Sequence, residues 1–393
     1  MTISKLFAGA LASCAVLMSV PAFAQEAPKQ LPAATKKMLA DLKLDPSILS
    51  GLDDELKVPQ EWIDGARKEG AVKVISSWDV GQYKKMIAPF LERYPFIKQE
   101  YSRGSRQERA MKPLLAYQSG RVLVDLIGGM GAAYALFRDA GALVDLREIP
   151  GFNNVPVGMR DEDGSWVGQR LRYWCMAYNT DKVPKDQLPK TWDDLNSNPF
   201  WRDGKLGLSN RPNLWLSNVW AEYGDDWGKA FTTKLFNETK PQIRKEGNNS
   251  MLALVIAGEF YGAIPGAAYR TRQYVDKGAP ISWHCPEPIP VALSELAMLK
   301  GSPDPNAARL WTNWSLSKEG QIAQFYAENS PPVHKDLQLD VFLSFRDQIV
   351  GKKIAYQNPV KLDEEQQQVL KVWNPLWEGM GGQARDPNDE SSE

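Results

Sequence analysis

The residues best equipped for chemistry in this chain are arginines and small hydroxyl residues in turns that close short apolar runs. Ser102-Arg103-Gly104-Ser105-Arg106 ends one run and opens a helical pattern. The Ser105 hydroxyl, the first-turn amides and the guanidinium groups of Arg103 and Arg106 could together hold an anion there. An ordinary serine cap between two solvated arginines accounts for the same residues. Arg211 in Asn210-Arg211-Pro212-Asn213 and Arg270 in Gly266-Ala267-Ala268-Tyr269-Arg270 occupy turns of the same kind, and Asn249 and Ser250 precede another helix. Trp78, which follows Ser76-Ser77, and Tyr269 offer ring faces for a planar or sugar-like group. The candidate ligand-binding set is therefore Ser77, Trp78, Arg103, Ser105, Arg106, Gly129, Met130, Asn210, Arg211, Asn249, Ser250, Tyr269 and Arg270.

Other chemistries are poorly supplied. The histidines are only His284 and His334, with no carboxylate at a metal-motif spacing, so no metal is expected. Cys175 is the one plausible nucleophile, and its neighbours Tyr173, Trp174 and Met176 offer nothing that lowers a thiol pKa. Gly128-Gly129-Met130-Gly131 lacks the spacing of a phosphate loop or dinucleotide fingerprint, and no strand-to-helix serine elbow occurs. No catalytic residue and no cofactor are expected.

The turns that carry the candidates punctuate an alternating pattern. Strands are expected at 72–75, 97–101, 122–127, 205–208, 261–264, 280–283 and 291–299, separated by helices at 61–69, 83–94, 106–118, 132–140, 215–223, 227–236, 251–257 and 305–317. Such alternation implies α/β architecture with a mostly parallel sheet, and strand-to-helix turns in such sheets lie at the strand ends where ligands bind. Trp311 and Trp314, on helical spacing, belong to the core.

The N-terminus bears on the compartment. Lys5 precedes an apolar run over residues 6–20, then Pro21-Ala22-Phe23-Ala24 before Gln25. This is the pattern of an export signal cleaved after Ala24, and it fits better than lipid attachment at Cys14. Cys14 leaves with the signal. Of the chain's three cysteines, Cys175 and Cys285 remain, and two buried free thiols are the expectation, with a disulfide as the alternative in an oxidising compartment. No later segment is long and apolar enough to span a bilayer. The formal net charge of −1, with both signs interspersed, gives no reason to expect nucleic acid or an anionic membrane as partner.

Several segments, in order, resemble the extracellular solute-binding proteins of ABC importers. They include Ala66-Arg67-Lys68-Glu69-Gly70, Ala177-Tyr178-Asn179-Thr180-Asp181-Lys182-Val183-Pro184, Leu188-Pro189-Lys190-Thr191-Trp192-Asp193-Asp194-Leu195, Ala257-Gly258-Glu259, Leu299-Lys300-Gly301-Ser302-Pro303 and Leu316-Ser317-Lys318-Glu319-Gly320-Gln321. The group includes ferric-iron, polyamine, thiamine, phosphonate and sugar-phosphate receptors. The resemblance implies a two-lobed type II periplasmic-binding fold joined by a two-strand hinge, with crossings near residues 172–178 and 290–296. It also implies a first lobe from residues 61–174 and 290–393, a second from 175–289, and an N-terminal helical extension over 25–60. The expected role is a monomeric periplasmic receptor that closes over a small anionic organic solute and delivers it to an inner-membrane permease. Ferric receptors of this group present adjacent tyrosines, whereas here Tyr274 follows Tyr269 by five positions among arginines, which favours the organic anion over the ferric alternative. The fold also hosts thiamine-cleaving enzymes with a cleft cysteine, which would cast Cys175 as nucleophile, and receptors that present ligand to a sensor.

Overall fold

The computed structural model describes residues 30–105 and 107–385, so the export signal, its cleavage point after Ala24, Cys14 and the candidate Arg106 lie outside the described residues. The strands are β1 (Ala71–Ser76), β2 (Lys98–Arg103), β3 (Leu126–Gly128), β4 (Val167–Asn179), β5 (Leu206–Ser209), β6 (Gln242–Arg244), β7 (Gly262–Ala267), β8 (Ile281–His284), β9 (Ile289–Met298) and β10 (Ile354–Tyr356). They lie in the order β2-β1-β3-β9-β4-β7-β5-β6, with β10 on β9 and β8 on β4. Pairing is parallel within β1–β3 and within β5–β7, while β9 runs antiparallel to β3 and β4, and β4 antiparallel to β7 and β8. The fold is thus α/β, with two mostly parallel halves flanked by helices.

Parallel neighbours require a crossover, and the helices supply it. Asp79 and Gln82 form a capping box that starts the helix Val80–Arg93 directly after β1, and this helix returns the chain to β2. The strand expected at 122–127 shrinks to β3, because residues 121–124 form no ladder.

β4 decides how the halves are joined. Its thirteen residues are buried throughout, as expected of a strand covered on both faces. Residues 167–173 pair with β9, whereas residues 174–179 pair with β7 and β8. The chain crosses from one half to the other within this strand, near Tyr173 and Trp174. It crosses back over residues 285–288, between β8 and β9.

The antiparallel register of β4 and β8 sets Met176 opposite His284, so the next pair along is Cys175 and Cys285. Their Cα atoms are 5.4 Å apart and the sulfurs are bonded. The expectation of two free thiols is corrected: directly opposed antiparallel residues fall within disulfide distance. Cys175 as a nucleophile falls with it, since its sulfur is bonded and the residue is fully buried.

The leader that precedes the sheet is fastened by polar contacts. The helix Ala33–Leu42 packs on Val80–Arg93 and on Lys318–Glu328. Thr35 donates to buried Glu319 at 2.5 Å, and Arg93 pairs with the same carboxylate at 2.6 Å. At the other end, the helix Leu362–Gly379 packs against Leu216–Tyr223 and Asp225–Lys234, with Trp373 edge-on to Phe236 at 5.0 Å. Most of its packing is therefore on helices that follow β5, with a further contact to the turn Gly131–Ala133 after β3. No helix among the described residues is long and apolar enough to cross a membrane.

Candidate ligand-binding site

The carboxyl ends of β1 and β2 in one half face those of β5 and β7 in the other, and the residues just past each end meet across a cleft. β4 runs along its floor. Side chains two apart on a strand point the same way, so Arg172 and Trp174 share one side of it. They line a pocket with Ser77, Arg103, Arg211, Asn248, Asn249, Tyr269, Arg270 and Glu328.

The floor is a buried charge network. Arg170 and Arg172 reach Glu328 at 2.8 and 3.4 Å, and Ser77 Oγ accepts from the same two guanidiniums at 2.8 and 3.2 Å. Ser330 donates to Glu328 at 2.8 Å. Burial alone would raise the Glu328 carboxyl, but the two guanidiniums and these hydrogen bonds outweigh it, and the group is held below its ordinary value of 4.5. The Arg170 guanidinium also lies 4.0 Å from the Trp78 ring centroid, a cation–π contact in a dry environment.

The walls are tied across the cleft. Asp79, at the start of its helix, receives Arg103 from β2 at 3.2 Å and Arg270, from beyond β7, at 2.9 Å. Gln273 Nε2 donates to the Glu328 carbonyl at 2.9 Å. Counting Arg170 and Asp79 with the lining residues, five guanidinium groups and two carboxylates gather here among the described residues. Arg170, Arg172 and Arg211 are buried, Arg270 is half-buried and Arg103 is exposed, and their forked donors have the geometry that matches a planar or tetrahedral anion.

A second chamber adjoins the first through Ser77, Arg172 and Trp174. Its further walls include Arg109, Gly129, Asn213, Ser294, Glu295 and Gln357. Arg109 donates to the carbonyls of Gly129 and Gly104 at 2.6 and 3.1 Å, so it braces the turn after β3.

Six of the sequence candidates meet in the first chamber: Ser77, Arg103, Arg211, Asn249, Tyr269 and Arg270. Gly129, in the left-handed region at φ 75°, lies in the second. The others do not line these chambers. Trp78 is fully buried beneath Arg170, and Met130 is fully buried in the core. The Ser105 amide and hydroxyl donate to Glu108 at 2.8 and 3.0 Å, so this cap is closed internally by a carboxylate. Asn210 is occupied from the C-terminal side, accepting from Trp373 Nε1 at 2.8 Å and donating to the Gln383 carbonyl at 3.1 Å. Ser250 is exposed on its helix, outside the lining of both chambers. Tyr274 packs with the separate apolar cluster of Met251, Leu252 and Val255, so it does not join Tyr269.

Arg172, Trp174, Asn248 and Glu328 line the same chamber and are not among the sequence candidates. A signal existed for three of the floor residues, since Arg170, Arg172 and Trp174 recur at period two within a strand that is otherwise mostly apolar. Arginine is seldom buried without a purpose. Elsewhere, Glu55, His334 and Asp336 come together, but the Lys318 ammonium stands 3.5 Å from Glu55 and 3.3 Å from Asp336, making an ion-pair network that anchors the leader.

Comparison with known proteins agrees with this architecture. Residues 78–322 match the family described as bacterial extracellular solute-binding proteins. Among solved structures, iron-bound HitA from Pseudomonas aeruginosa is 20% identical with a TM-score of 0.64, covering 78% of this chain and 99% of its own. An ABC transporter substrate-binding protein from Bradyrhizobium japonicum is 18% identical with a TM-score of 0.64 and the same coverage of 78% and 99%. The Trichodesmium protein IdiA (FutA), in complex with iron and citrate, is 17% identical with a TM-score of 0.63, covering 79% and 99%. At these identities the likeness is one of fold.

Proposed function

The chain belongs to the bacterial extracellular solute-binding proteins, which are not enzymes, and from that premise we propose that it captures a small anionic organic solute between two lobes and delivers it to an ABC importer. One lobe is built on β1–β3 and the other on β5–β7, with the crossings within β4 and over residues 285–288 as the hinge, rather than the return near 290–296 that the sequence suggests. In this reading the mature protein works as a periplasmic monomer, with the permease in the inner membrane as its partner. A ligand that touches both sides of the cleft stabilises the closed arrangement by its differential contacts.

The observation that carries the ligand class is the set of four arginines, Arg103, Arg172, Arg211 and Arg270, on one cavity that one carboxylate, Glu328, also lines. Hydrogen bonds to charged groups contribute about 1.5–3 kcal/mol each, so a few such contacts account for micromolar binding, which requires about 8 kcal/mol. A thermal-unfolding screen of carboxylates, phosphates, phosphonates and ferric salts tests the reading. At least one organic anion is expected to raise the midpoint; stabilisation by ferric salts alone, with a visible charge-transfer colour, would reject the organic anion. Ferric iron is the second reading, favoured by Tyr269 in the chamber and by the iron held in two similar structures. The arginines would then hold the anion that accompanies the metal.

A further inference from the structure

The wall between the two chambers carries information about the rest of the ligand. Trp174, which lines both, is 2% exposed, and its indole Nε1 has no hydrogen-bond acceptor among the described residues. Asn213, 5% exposed and facing the second chamber, has an amide oxygen Oδ1 with no donor among the described residues. A buried polar group left unsatisfied costs about 1–3 kcal/mol, so such groups in native proteins are met by ordered water or, where they border a binding cavity, by the ligand. Here one donor and one acceptor stand along a single path, the donor at the waist and the acceptor beyond it.

The two chambers also differ in charge. In the first, four arginines share the walls with one carboxylate. In the second, apart from the shared Arg172, the one arginine, Arg109, is matched by one carboxylate, Glu295, and the remaining polar walls include Ser294 and Gln357. An inorganic anion would satisfy the first chamber and leave the waist and the second chamber unused.

We infer that the ligand has two parts, an anionic head held by the arginine chamber and an uncharged hydroxylated tail that passes Trp174 and reaches Asn213 and Ser294. A hydroxyl accepts from an indole N–H and donates to an amide oxygen, which neither a methylene nor a second anionic group does. The inference rests on the anion-site reading above and extends it from a charge to a shape.

Calorimetric titration of the purified protein tests it with matched probes: n-propyl phosphate against glycerol 3-phosphate, and butyrate against 3,4-dihydroxybutyrate, with inorganic phosphate and acetate as heads alone. With whichever head binds, the hydroxylated compound is expected to bind at least tenfold tighter than its plain counterpart. Ser294→Leu, which fills the second chamber, is expected to erase that advantage while leaving the affinity for the head alone within about twofold, and Asn213→Leu provides the same test should the first variant fold poorly. Trp174→Phe keeps an aromatic ring and removes the donor, and is expected to weaken the hydroxylated probe more than its plain counterpart. Equal affinity of hydroxylated and plain probes, or an advantage that survives both second-chamber variants, would overturn the two-part ligand and leave the anion site standing. Failure of every anion to bind would overturn the anion site itself, and the inference with it.

Discussion

At the scale of single residues, the account makes Arg172 the pivot, because it lines both chambers and pairs with Glu328. Replacing it with lysine keeps the charge but loses the fork, so Arg172→Lys is expected to weaken anion binding at least tenfold by calorimetry without unfolding the protein. Glu328 has the opposite duty, neutralising two buried guanidiniums. Glu328→Gln leaves those cations uncompensated and is expected to cost about 3–5 kcal/mol in denaturant unfolding at neutral pH. The sign of its pH dependence follows from a folded-state carboxyl held below 4.5. Its stabilisation is fully present above the unfolded value and disappears as pH falls through the folded one. The stability gap between the parent and Glu328→Gln should therefore be widest near neutrality and narrow below about pH 4.5; a gap that stayed constant down to strongly acid pH would contradict the network described.

At the scale of elements, β4 joins the halves, floors the cleft and carries half of the disulfide. The Cys175–Cys285 bond ties the two crossing segments and spans 110 positions of sequence. A bond closing a loop of that length contributes about 2–5 kcal/mol, so the double variant Cys175→Ser with Cys285→Ser is expected to lose that much stability in urea unfolding while keeping its fold and its ligand. Loss of binding by a folded double variant would show that the bond positions the neighbouring Trp174 as well.

Sequence pattern made the alternating scheme of the halves legible, because parallel strands flanked by helices read as apolar runs between capped helical periods. Six of its candidates line one chamber, since turns after such strands are where side chains from distant segments converge. What it left unread has physical causes. Trp78 sits in a turn yet is buried, because Arg170, more than ninety positions away, covers its ring. Ser105 has the sequence of an anion-binding cap, but Glu108 three residues on supplies the carboxylate. Arg172 was read only as part of a crossing strand, since a single sequence does not show which face of a buried strand borders a cavity. Glu328 lies at the end of the helix Lys318–Glu328, far from every turn considered, and only the tertiary fold brings it to the floor.

At the scale of the whole molecule, the halves are held together across the cleft by Asp79, shared between Arg103 and Arg270, and by Gln273 on the Glu328 carbonyl. Asp79 is 34% exposed at its side chain, so its pairs are worth about 0–1 kcal/mol and act on the balance between open and closed arrangements more than on folding. Asp79→Asn is expected to leave the thermal midpoint nearly unchanged and to increase the radius of gyration of the ligand-free protein in small-angle X-ray scattering, with compactness restored by a bound anion. An unchanged scattering profile would show that Asp79 does not hold the lobes together.

The central claim is that an anion is held between the lobes by guanidinium groups from both sides. A crystal structure of the protein with the most stabilising compound from the anion screen measures this directly. Density for that compound is expected in the chamber, within hydrogen-bond distance of Arg172 on β4 and of Arg211 or Arg270 from the opposite lobe. Density at a surface groove outside the cleft, or a metal ion on Tyr269 with no anion on the arginines, would contradict it.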